Sequence, residues 1–419
     1  MKTKIYILAL IMSVAAFACD KDIAYTRAYT PSVKAAPVKP LIDPCTLSDG
    51  SIVTITADST SYGRYLFPPF YLTKISKDGT VSSTELKGLY DVSTLYYEEL
   101  KLKVNDADEI FFENFWQFYE GDLLKFDKDL NLIYKIKLSD IGYYPCTGIT
   151  TKDGGYLMIA TKSRGKTNEN KVQLLQFDGN GVLQSDTEIT LEWYEWYAHN
   201  LGFRHINAIG DDKMVLHTLE KPQTGEAFFT YRIYTTDGKL RKYGFLNDVN
   251  DTELLYKTQT FSRDGYLYVA KADSTFAHTQ ILKIDSNHDT IFSKEIGVSH
   301  IYSFEQSNGM ITIVGPQGPC PPQKDASWFG YVAHIKPYLS DIKGKILTMN
   351  PDNGEIISTA TISLDGGTVP YTAIESADGY DIFMSRVFDA DINNNIEWLY
   401  NNKVYIYHVD NLQKLDLNY

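Results

Sequence analysis

The chain has 419 residues, of which 43% are hydrophobic and 13% aromatic, and its formal net charge at pH 7 is −13. An acidic chain without a basic stripe cannot neutralise phosphates, which argues against a nucleic-acid partner. Beyond the first residues no apolar run is long enough for a transmembrane helix, and four cysteines are too few for a dense disulfide framework.

The first residues predict export. Lys2 and Lys4 form a positive region, and the apolar run after them is too short to span a bilayer, so residues 1–18 are predicted to be a signal peptide. The sequence Ala16-Phe17-Ala18-Cys19 resembles a bacterial lipobox, which implies cleavage before Cys19 and lipidation of that residue. An ordinary signal peptide followed by an incidental cysteine is the alternative.

The segment after Cys19 predicts a tether. Asp20-Lys21-Asp22 resembles the acidic export tag of Bacteroidetes surface lipoproteins, which implies an anchor in the outer leaflet of the outer membrane. Residues 19–42 contain several prolines and few large apolar side chains, so they cannot bury enough surface to fold alone. We therefore expect a flexible tether that holds residues 43–419 at the cell surface.

Two series of turn signals alternate along residues 43–419. The first is a turn followed by a short apolar strand, and it occurs at Asp49-Gly50, Asp106–Asp108, Asp153–Gly155, Asp211-Asp212, Asp264-Gly265, Asn308-Gly309 and Asp378-Gly379. The second is a strand end followed by a polar turn, at Lys74–Ser76, Lys125–Asp127, Gln176–Asp178, Ile233–Thr235, Lys283–Asp285, Thr348–Asn350 and His408–Asp410. Asp-Gly and Asn-Gly supply the positive φ of tight hairpins, so both series mark hairpins.

Two hairpin turns in each unit of about 50 to 65 residues mean four antiparallel strands, which is the blade of a propeller. The sequence therefore predicts an all-β protein, a seven-bladed β-propeller of four-stranded antiparallel blades over residues 43–419. We call the strands of a blade A to D, from the axis outward. Residues 415–419 are predicted to form the outer strand of the last blade. A tandem pair of β-sandwiches is the alternative architecture.

Some units resemble a known repeat. Asp153–Leu157 and Leu174–Gly181 are similar to the generic bacterial propeller repeat, in which a DGGY turn and a KLDxNG turn bracket each blade. Together with the lipobox, this resemblance implies a propeller lipoprotein of the Bacteroidetes type. Some such lipoproteins are similar to accessory subunits of starch-utilisation-type uptake systems. The sequence lacks the sialidase box, the pyrroloquinoline-type Trp motif, and the kelch and Trp-Asp patterns of other propellers.

Loops at one end of the predicted propeller are candidates for binding. The D-to-A and B-to-C connections share one mouth of the channel, and they are long, variable and aromatic, as binding loops on a rigid scaffold are. The segment between blades three and four predicts a platform for sugar rings or peptide side chains. Its candidate residues are Trp193, Tyr194, Trp196, Tyr197, His199, Phe203, Arg204 and His205, with Trp328 in blade six. Packing of these side chains onto neighbouring blades is the alternative.

Five tyrosines recur shortly before the A–B turns, where equivalent positions of a propeller converge on the axis. We predict that they encircle the channel entrance, with packing between blades as the alternative. They are Tyr97, Tyr144, Tyr256, Tyr302 and Tyr371.

Cysteine and metal signals are weak. Cys45 and Cys146 fall in strand A of blades one and three, which are not neighbours, so buried thiols are predicted rather than a disulfide. No cofactor is predicted. Asp389–Glu397 resembles the opening of a Ca²⁺ loop but lacks its glycine and its final glutamate, and Asp285–Asp289 is a weaker match. Ca²⁺ binding and an ordinary polar loop both remain open.

These patterns together predict a non-catalytic surface lipoprotein that binds a glycan or a peptide, or that serves as an accessory subunit of a nutrient-uptake complex. The expected partners are the outer membrane, through Cys19, and a TonB-dependent transporter with companion lipoproteins. A propeller-fold glycan hydrolase or lyase, with carboxylates from different blades at the channel mouth, is the alternative. The sequence identifies no catalytic residue.

Overall fold

A computed structural model describes seventeen stretches of the chain. For some residues at strand ends, it describes the backbone only. The stretches are residues 34–36, 44–57, 65–66, 70–86, 95–96, 100–116, 120–162, 171–190, 203–210, 213–220, 228–247, 258–272, 278–317, 343–362, 368–376, 379–386 and 404–410.

These residues form seven four-stranded antiparallel sheets. From strand A to strand D, blade one consists of β2 (Cys45–Thr46), β3 (Ile52–Ala57), β5 (Phe70–Ile75) and β6 (Val81–Glu85), and blade two of β8 (Leu100–Val104), β9 (Ile110–Trp116), β10 (Glu120–Phe126) and β11 (Leu132–Lys137). Blade three consists of β12 (Tyr144–Thr150), β13 (Tyr156–Thr161), β14 (Lys171–Phe177) and β15 (Leu183–Thr190). Blade four consists of β16 (Phe203–Ile209), β17 (Lys213–Glu220), β18 (Phe228–Thr235) and β19 (Leu240–Asn247).

The other three blades have the same order. They are β20 (Thr258–Arg263), β21 (Tyr266–Ala272), β22 (Thr279–Ile284) and β23 (Thr290–Ile296); β24 (Ser303–Ser307), β25 (Met310–Gln317), β26 (Lys343–Met349) and β27 (Ile356–Ile362); and β28 (Thr368–Ser376), β29 (Gly379–Arg386), β30 (Val404–Asp410) and β1 (Lys34–Ala36). The short strands β4 (Tyr65–Leu66) and β7 (Leu95–Tyr96) form a separate pair.

The predicted seven-bladed, all-β propeller is confirmed. The only helical turn among the described residues is a 3-10 helix, Leu138–Ile141, between blades two and three. In the same part of the chain, no helix has the length and apolar character needed to cross a membrane.

Contacts between blades one and seven close the ring. The hydroxyls of Thr46 and Thr372, in the A strands of these blades, lie 3.1 Å apart. Lys77, in the C–D turn of blade one, forms an ion pair of 3.8 Å with Asp381 of β29. Strand A therefore lies at the axis, and the first and last blades are neighbours.

The outer strand of blade seven corrects one prediction. The edge of β30 is paired with β1, in the register Lys34↔Ile406, Ala35↔Tyr405 and Ala36↔Val404. This edge is the place predicted for residues 415–419, which lie outside the described residues. The last blade is thus completed by a segment from the predicted tether, so that its inner three strands and its outer strand come from opposite ends of the chain.

Three of the C–D turns share one side-chain hydrogen-bonding pattern. In three turns the first residue is an aspartate whose Oδ1 accepts from the backbone N–H groups two and four residues later: Asp127, Asp178 and Asp285. The fourth residue of these turns has a positive φ. In one turn this residue is a glycine, Gly181, whereas in another it is His288, with a φ of +63°. Side-chain capping of this kind makes each turn rigid without help from its neighbours.

Lysines join four of the C–D turns, those of blades two, three, five and six, to the blade before. In blades one, two and five, the next-to-last residue of strand C donates its Nζ to the carbonyl of the second residue in the next blade's C–D turn. The pairs are Lys74 to Lys128 (3.2 Å), Lys125 to Gly179 (3.0 Å) and Lys283 to Pro351 (2.7 Å). Between blades four and five, Lys213 of strand B makes the equivalent bond to Ser286 at 3.5 Å. The C–D turns therefore lie on one face, which we call the turn face.

The core consists of apolar layers between adjacent blades. Side chains alternate along each strand, so both faces of a sheet are covered by its neighbours. One layer holds Phe111 and Leu123 of blade two against Tyr156 and Met158 of blade three. Another holds Tyr268 of blade five against residues of blade six.

Candidate functional site

The two ends of the propeller differ in the length of their connections. At the turn face, the longest connection between described strands is Asn350–Glu355. At the opposite end, residues 191–202 lead from blade three to blade four, and residues 318–342 connect strands B and C of blade six. We call this end the loop mouth. Pairing of β4 with β7 shows that the B–C loop of blade one and the connection to blade two meet there.

Most of the predicted aromatic platform lies outside the described residues. This applies to Trp193, Tyr194, Trp196, Tyr197, His199 and Trp328, and also to Tyr97, Tyr256 and Cys19. Phe203, Arg204 and His205 begin β16, the A strand of blade four, so their backbone stands at the loop mouth. The platform stays a prediction.

Two of the five predicted tyrosines come together between blades six and seven. Tyr302 and Tyr371 make an edge-to-face contact, with their ring centroids 6.3 Å apart. Both side chains are buried, with Tyr371 only 1% exposed. The pair thus packs between blades. Tyr144, the first residue of β12, is half-buried and is the one described tyrosine of the set that is open to solvent.

His300 extends this pair toward blade five. Its ring lies 5.0 Å from that of Tyr302, edge to face, and its Nε2 is 3.0 Å from Nε2 of Gln259. Gln259 also donates to the carbonyl of Ile301 at 2.7 Å and accepts from the Ile301 N–H at 2.8 Å. A side chain of blade five therefore fixes the connection that enters strand A of blade six at the loop mouth.

The inner wall of the channel is polar. Thr46, Thr372 and Ser303, from blades one, seven and six, form a chain of hydroxyl hydrogen bonds of 3.1 and 3.0 Å. Asn207 of blade four donates to Thr260 of blade five at 2.7 Å. Neighbouring A strands are thus joined by side chains, which leaves the wall rigid and lined by hydrogen-bonding groups.

A buried carboxylate lies between blades two and three, in the strand next to this wall. Glu113 of β9 is fully buried, and it bonds to Lys103 of β8 and to the hydroxyl of Tyr156. Lys103 also donates to the carbonyl of Gly148, in strand A of blade three. A buried charge needs partners of this kind, so the cluster joins blades two and three.

Cys45 and Cys146 are not joined by a disulfide. The thiol of Cys45 donates to the carbonyl of Leu102 at 3.4 Å. Burial raises the pKa of Cys146 well above its usual range, against the opposing effect of nearby Lys101. The prediction of a buried, unpaired thiol is confirmed for Cys146. Such a thiol stays protonated, and a protonated thiol cannot act as a nucleophile.

Glu305 is a carboxylate of the channel wall with an unusual pKa. It lies in β24, and burial raises its pKa, although the guanidinium of Arg263 in blade five, 3.3 Å away, opposes this shift. Its side chain is still 43% exposed. Water therefore reaches the carboxyl group and limits the effect of burial on its pKa. A carboxyl group of this kind can take up a proton more readily than an ordinary surface glutamate.

Two histidines lie at the interface between blades four and five: His217 is fully buried and His288 is half-buried. The ring of His288 stacks on Tyr231, with centroids 3.4 Å apart and planes 4° from parallel, and lies 6.2 Å from His217. Burial lowers the pKa of His288 to about 4. Its imidazole is therefore neutral at neutral pH.

Metal ligands do not cluster in the part of the chain that the structure describes, where no three His, Cys, Asp or Glu side chains are placed to hold an ion. Asp285, the first residue of the weaker Ca²⁺ signal, caps its own turn with its Oδ1. The stronger signal, Asp389–Glu397, lies outside the described residues.

No protein-family model and no curated protein matches the chain. Several solved structures have a similar fold. The GH93 α-L-arabinofuranosidase of Fusarium graminearum shares 13% identity, with a TM-score of 0.44 over 67% of this chain and 88% of that one. The β-propeller domain of the Trilobed protease from Pyrococcus furiosus shares 11% identity, with a TM-score of 0.43 over 83% and 92%.

The Synechocystis apocarotenoid oxygenase shares 12% identity, with a TM-score of 0.45 over 85% of this chain and 86% of that one. Similarities at this level concern the fold and say nothing about the activity of this chain.

Proposed function

We propose that this protein is a lipid-anchored, surface-exposed binding or scaffold subunit that uses the loop mouth as its working face. Its ligand is a glycan or a peptide, or its partner is an outer-membrane transporter of the TonB-dependent type with companion lipoproteins. The proposed location is the outer membrane of a Bacteroidetes-type cell, reached through lipidation of Cys19.

This proposal rests on the difference between the turn face and the loop mouth of the propeller. Capping aspartates and lysine bridges make the turn face a rigid support, as shown by Lys125, which bonds to two turns of blade three. The loop mouth receives the long connections, including the aromatic residues 193–205. Variable loops on a rigid scaffold are where binding residues concentrate, and aromatic side chains supply contact area at low entropic cost.

Ligand arrays test the binding form of the proposal. The purified protein, without its signal peptide, is applied to glycan and peptide arrays beside the Trp193→Ala and Trp196→Ala variants. An Ile133→Ala variant, in the outer strand of blade two, is the control because Ile133 is exposed and far from the axis. We expect at least one ligand whose signal falls in the Trp variants and not in the control. A ligand bound equally by all four proteins would place binding elsewhere.

The second candidate is a glycan hydrolase or lyase, and Glu305 is the observation that favours it. Carboxyl groups with a raised pKa act as general acids, although ion pairs that are only structural also shift pKa values. Glu305→Gln keeps the shape of the side chain and removes its acidity. Hydrolysis of any glycan by the wild type that this variant abolishes would establish the enzyme, whereas equal rates would exclude Glu305.

A further inference from the structure

The direction of β1 fixes where the N-terminal tether leaves the propeller. Strand β30 runs from the loop mouth at Val404 toward the turn face at Asp410. Its partner β1 is antiparallel, with Ala36 opposite Val404 and Lys34 opposite Ile406. Followed toward the N-terminus, the chain therefore heads from the loop mouth to the turn face.

From this geometry we propose that the protein stands on the membrane with its turn face toward the bilayer and its loop mouth pointing outward. The inference rests on the proposed lipidation of Cys19. It adds an orientation, which the lipid anchor alone does not give. The loop mouth is then the end that meets ligands and the outward-facing part of a transporter, and the turn face is the end nearer to the bilayer.

The length of the tether supports this orientation. Between Cys19 and Lys34 there are about fifteen residue steps, which reach at most about 50 Å when fully extended. A random coil of this number of residues has a root-mean-square span of about 22 Å. To face the membrane with the loop mouth, the tether would have to double back along the outer edge of blade seven, a further distance of about 25 Å for a strand of this fold. That path takes about half of the fully extended length and exceeds the root-mean-square span of a coil, so it is entropically disfavoured.

Charge on the turn face sets the distance from the membrane rather than the orientation. Exposed carboxylates recur on this face, at Asp78, Asp129, Asp153, Asp237, Asp289 and Asp352. Asp237 and Asp289 are paired with Lys239 and Lys242, and the repulsion of an anionic lipid surface by the other carboxylates is screened within about 8 Å at physiological ionic strength. We therefore expect the body to stand off the bilayer on its tether, without close contact between the turn face and the lipid.

Fluorescence energy transfer in proteoliposomes tests the orientation. The full-length lipidated protein carries one fluorophore, coupled through an unnatural amino acid either at residue 317, at the mouth end of β25, or at residue 352, in the C–D turn of the same blade. Gln317 and Asp352 are both exposed, and they form a matched pair on one sheet. The acceptor is a dye on the lipid headgroups. We expect the site at residue 352 to lie about 25 Å nearer to the bilayer than the site at residue 317.

Two further proteins separate the orientation from the anchor. A flexible insertion of about 20 residues after Thr30 should bring the two distances together, because the longer tether no longer favours one face. Cys19→Ala should leave the protein in the soluble fraction. Equal distances in the original protein, or a shorter distance at residue 317, overturn the proposed orientation while the anchor stands. If the wild-type protein fails to associate with the vesicles, both proposals fall.

Discussion

Lys125 is expected to be the most costly lysine to remove from the turn face. Its side chain is 2% exposed, and its Nζ contacts Glu109 at 2.7 Å, the carbonyl of Gly154 at 2.9 Å and the carbonyl of Gly179 at 3.0 Å. Lys125→Met keeps the apolar stem and removes the charge. Three acceptors at the interface between blades two and three then lose their shared donor.

The size of the effect follows from these contacts. Breaking a buried ion pair by removing one partner costs about 3 to 5 kcal/mol. Glu109 is 26% exposed and retains a hydrogen bond of 2.7 Å from Asn105, so water and this amide compensate in part. We therefore expect about 3 kcal/mol, the lower end of that range. With an unfolding entropy of about 2 cal/mol/K per residue, such a loss lowers Tm by about 4 °C for a body of this size.

Thermal and urea unfolding of the two proteins measures this loss. Lys128→Met is the matched control, since Lys128 is exposed and its carbonyl, which accepts from Lys74, is unchanged. The control should stay within about 0.5 kcal/mol of the wild type. Adding Glu109→Gln to Lys125→Met should recover part of the loss, because it removes the unpaired charge. If Lys125→Met is as stable as the control, the bridging role of the lysine is refuted.

Three other changes follow from the same structure. Folding lowers the pKa of His288 from 6.5 to about 4, so as the pH falls the unfolded state takes up the proton first and the stability of the protein should decrease between these two values. His288→Asn should flatten the dependence of Tm on pH in this range. An unchanged slope in the variant would contradict the role of His288. Peptide mass mapping should find Cys146 alkylated only after denaturation, because burial raises its pKa; modification of the native protein would refute this. Deleting residues 20–36 should lower Tm by exposing the edge of β30, while deleting residues 20–30 should not, and equal values for the two deletions would show that β1 is dispensable.

Turn chemistry made most of the fold predictable. Each Asp-Gly or Asn-Gly signal marks a position where a tight hairpin needs positive φ, and Gly50, Gly154, Gly265 and Gly309 all have it. The outer strand of blade seven was missed for a physical reason. β1 has only three residues, and its pairing partner lies at the other end of the chain, so no local pattern distinguishes Lys34–Ala36 from a tether.

The candidate site was less predictable than the fold. The sequence placed Tyr302 and Tyr371 near the axis, but it could not say whether they face the channel or the next blade. The register of β28 shifts between Pro370 and Thr372, so a count of alternating residues loses its phase at Tyr371. The repeated lysine before the C–D turns was visible in the sequence, whereas the carbonyl that it bonds belongs to another blade and appears only in the folded ring.

Recovery of partners from the membrane tests most directly whether this propeller is a binding subunit that works through its loop mouth. The tagged, natively lipidated protein is isolated from detergent-solubilised outer membrane, and its companions are identified by mass spectrometry. The Trp193→Ala, Trp196→Ala double variant and the Ile133→Ala variant are treated in parallel. We predict stoichiometric recovery of a transporter with its lipoproteins by the wild type and by Ile133→Ala, and loss of that recovery in the double Trp variant. Recovery of the protein alone would contradict the stable-subunit form of the proposal, and recovery that the Trp substitutions leave unchanged would contradict the role of the loop mouth.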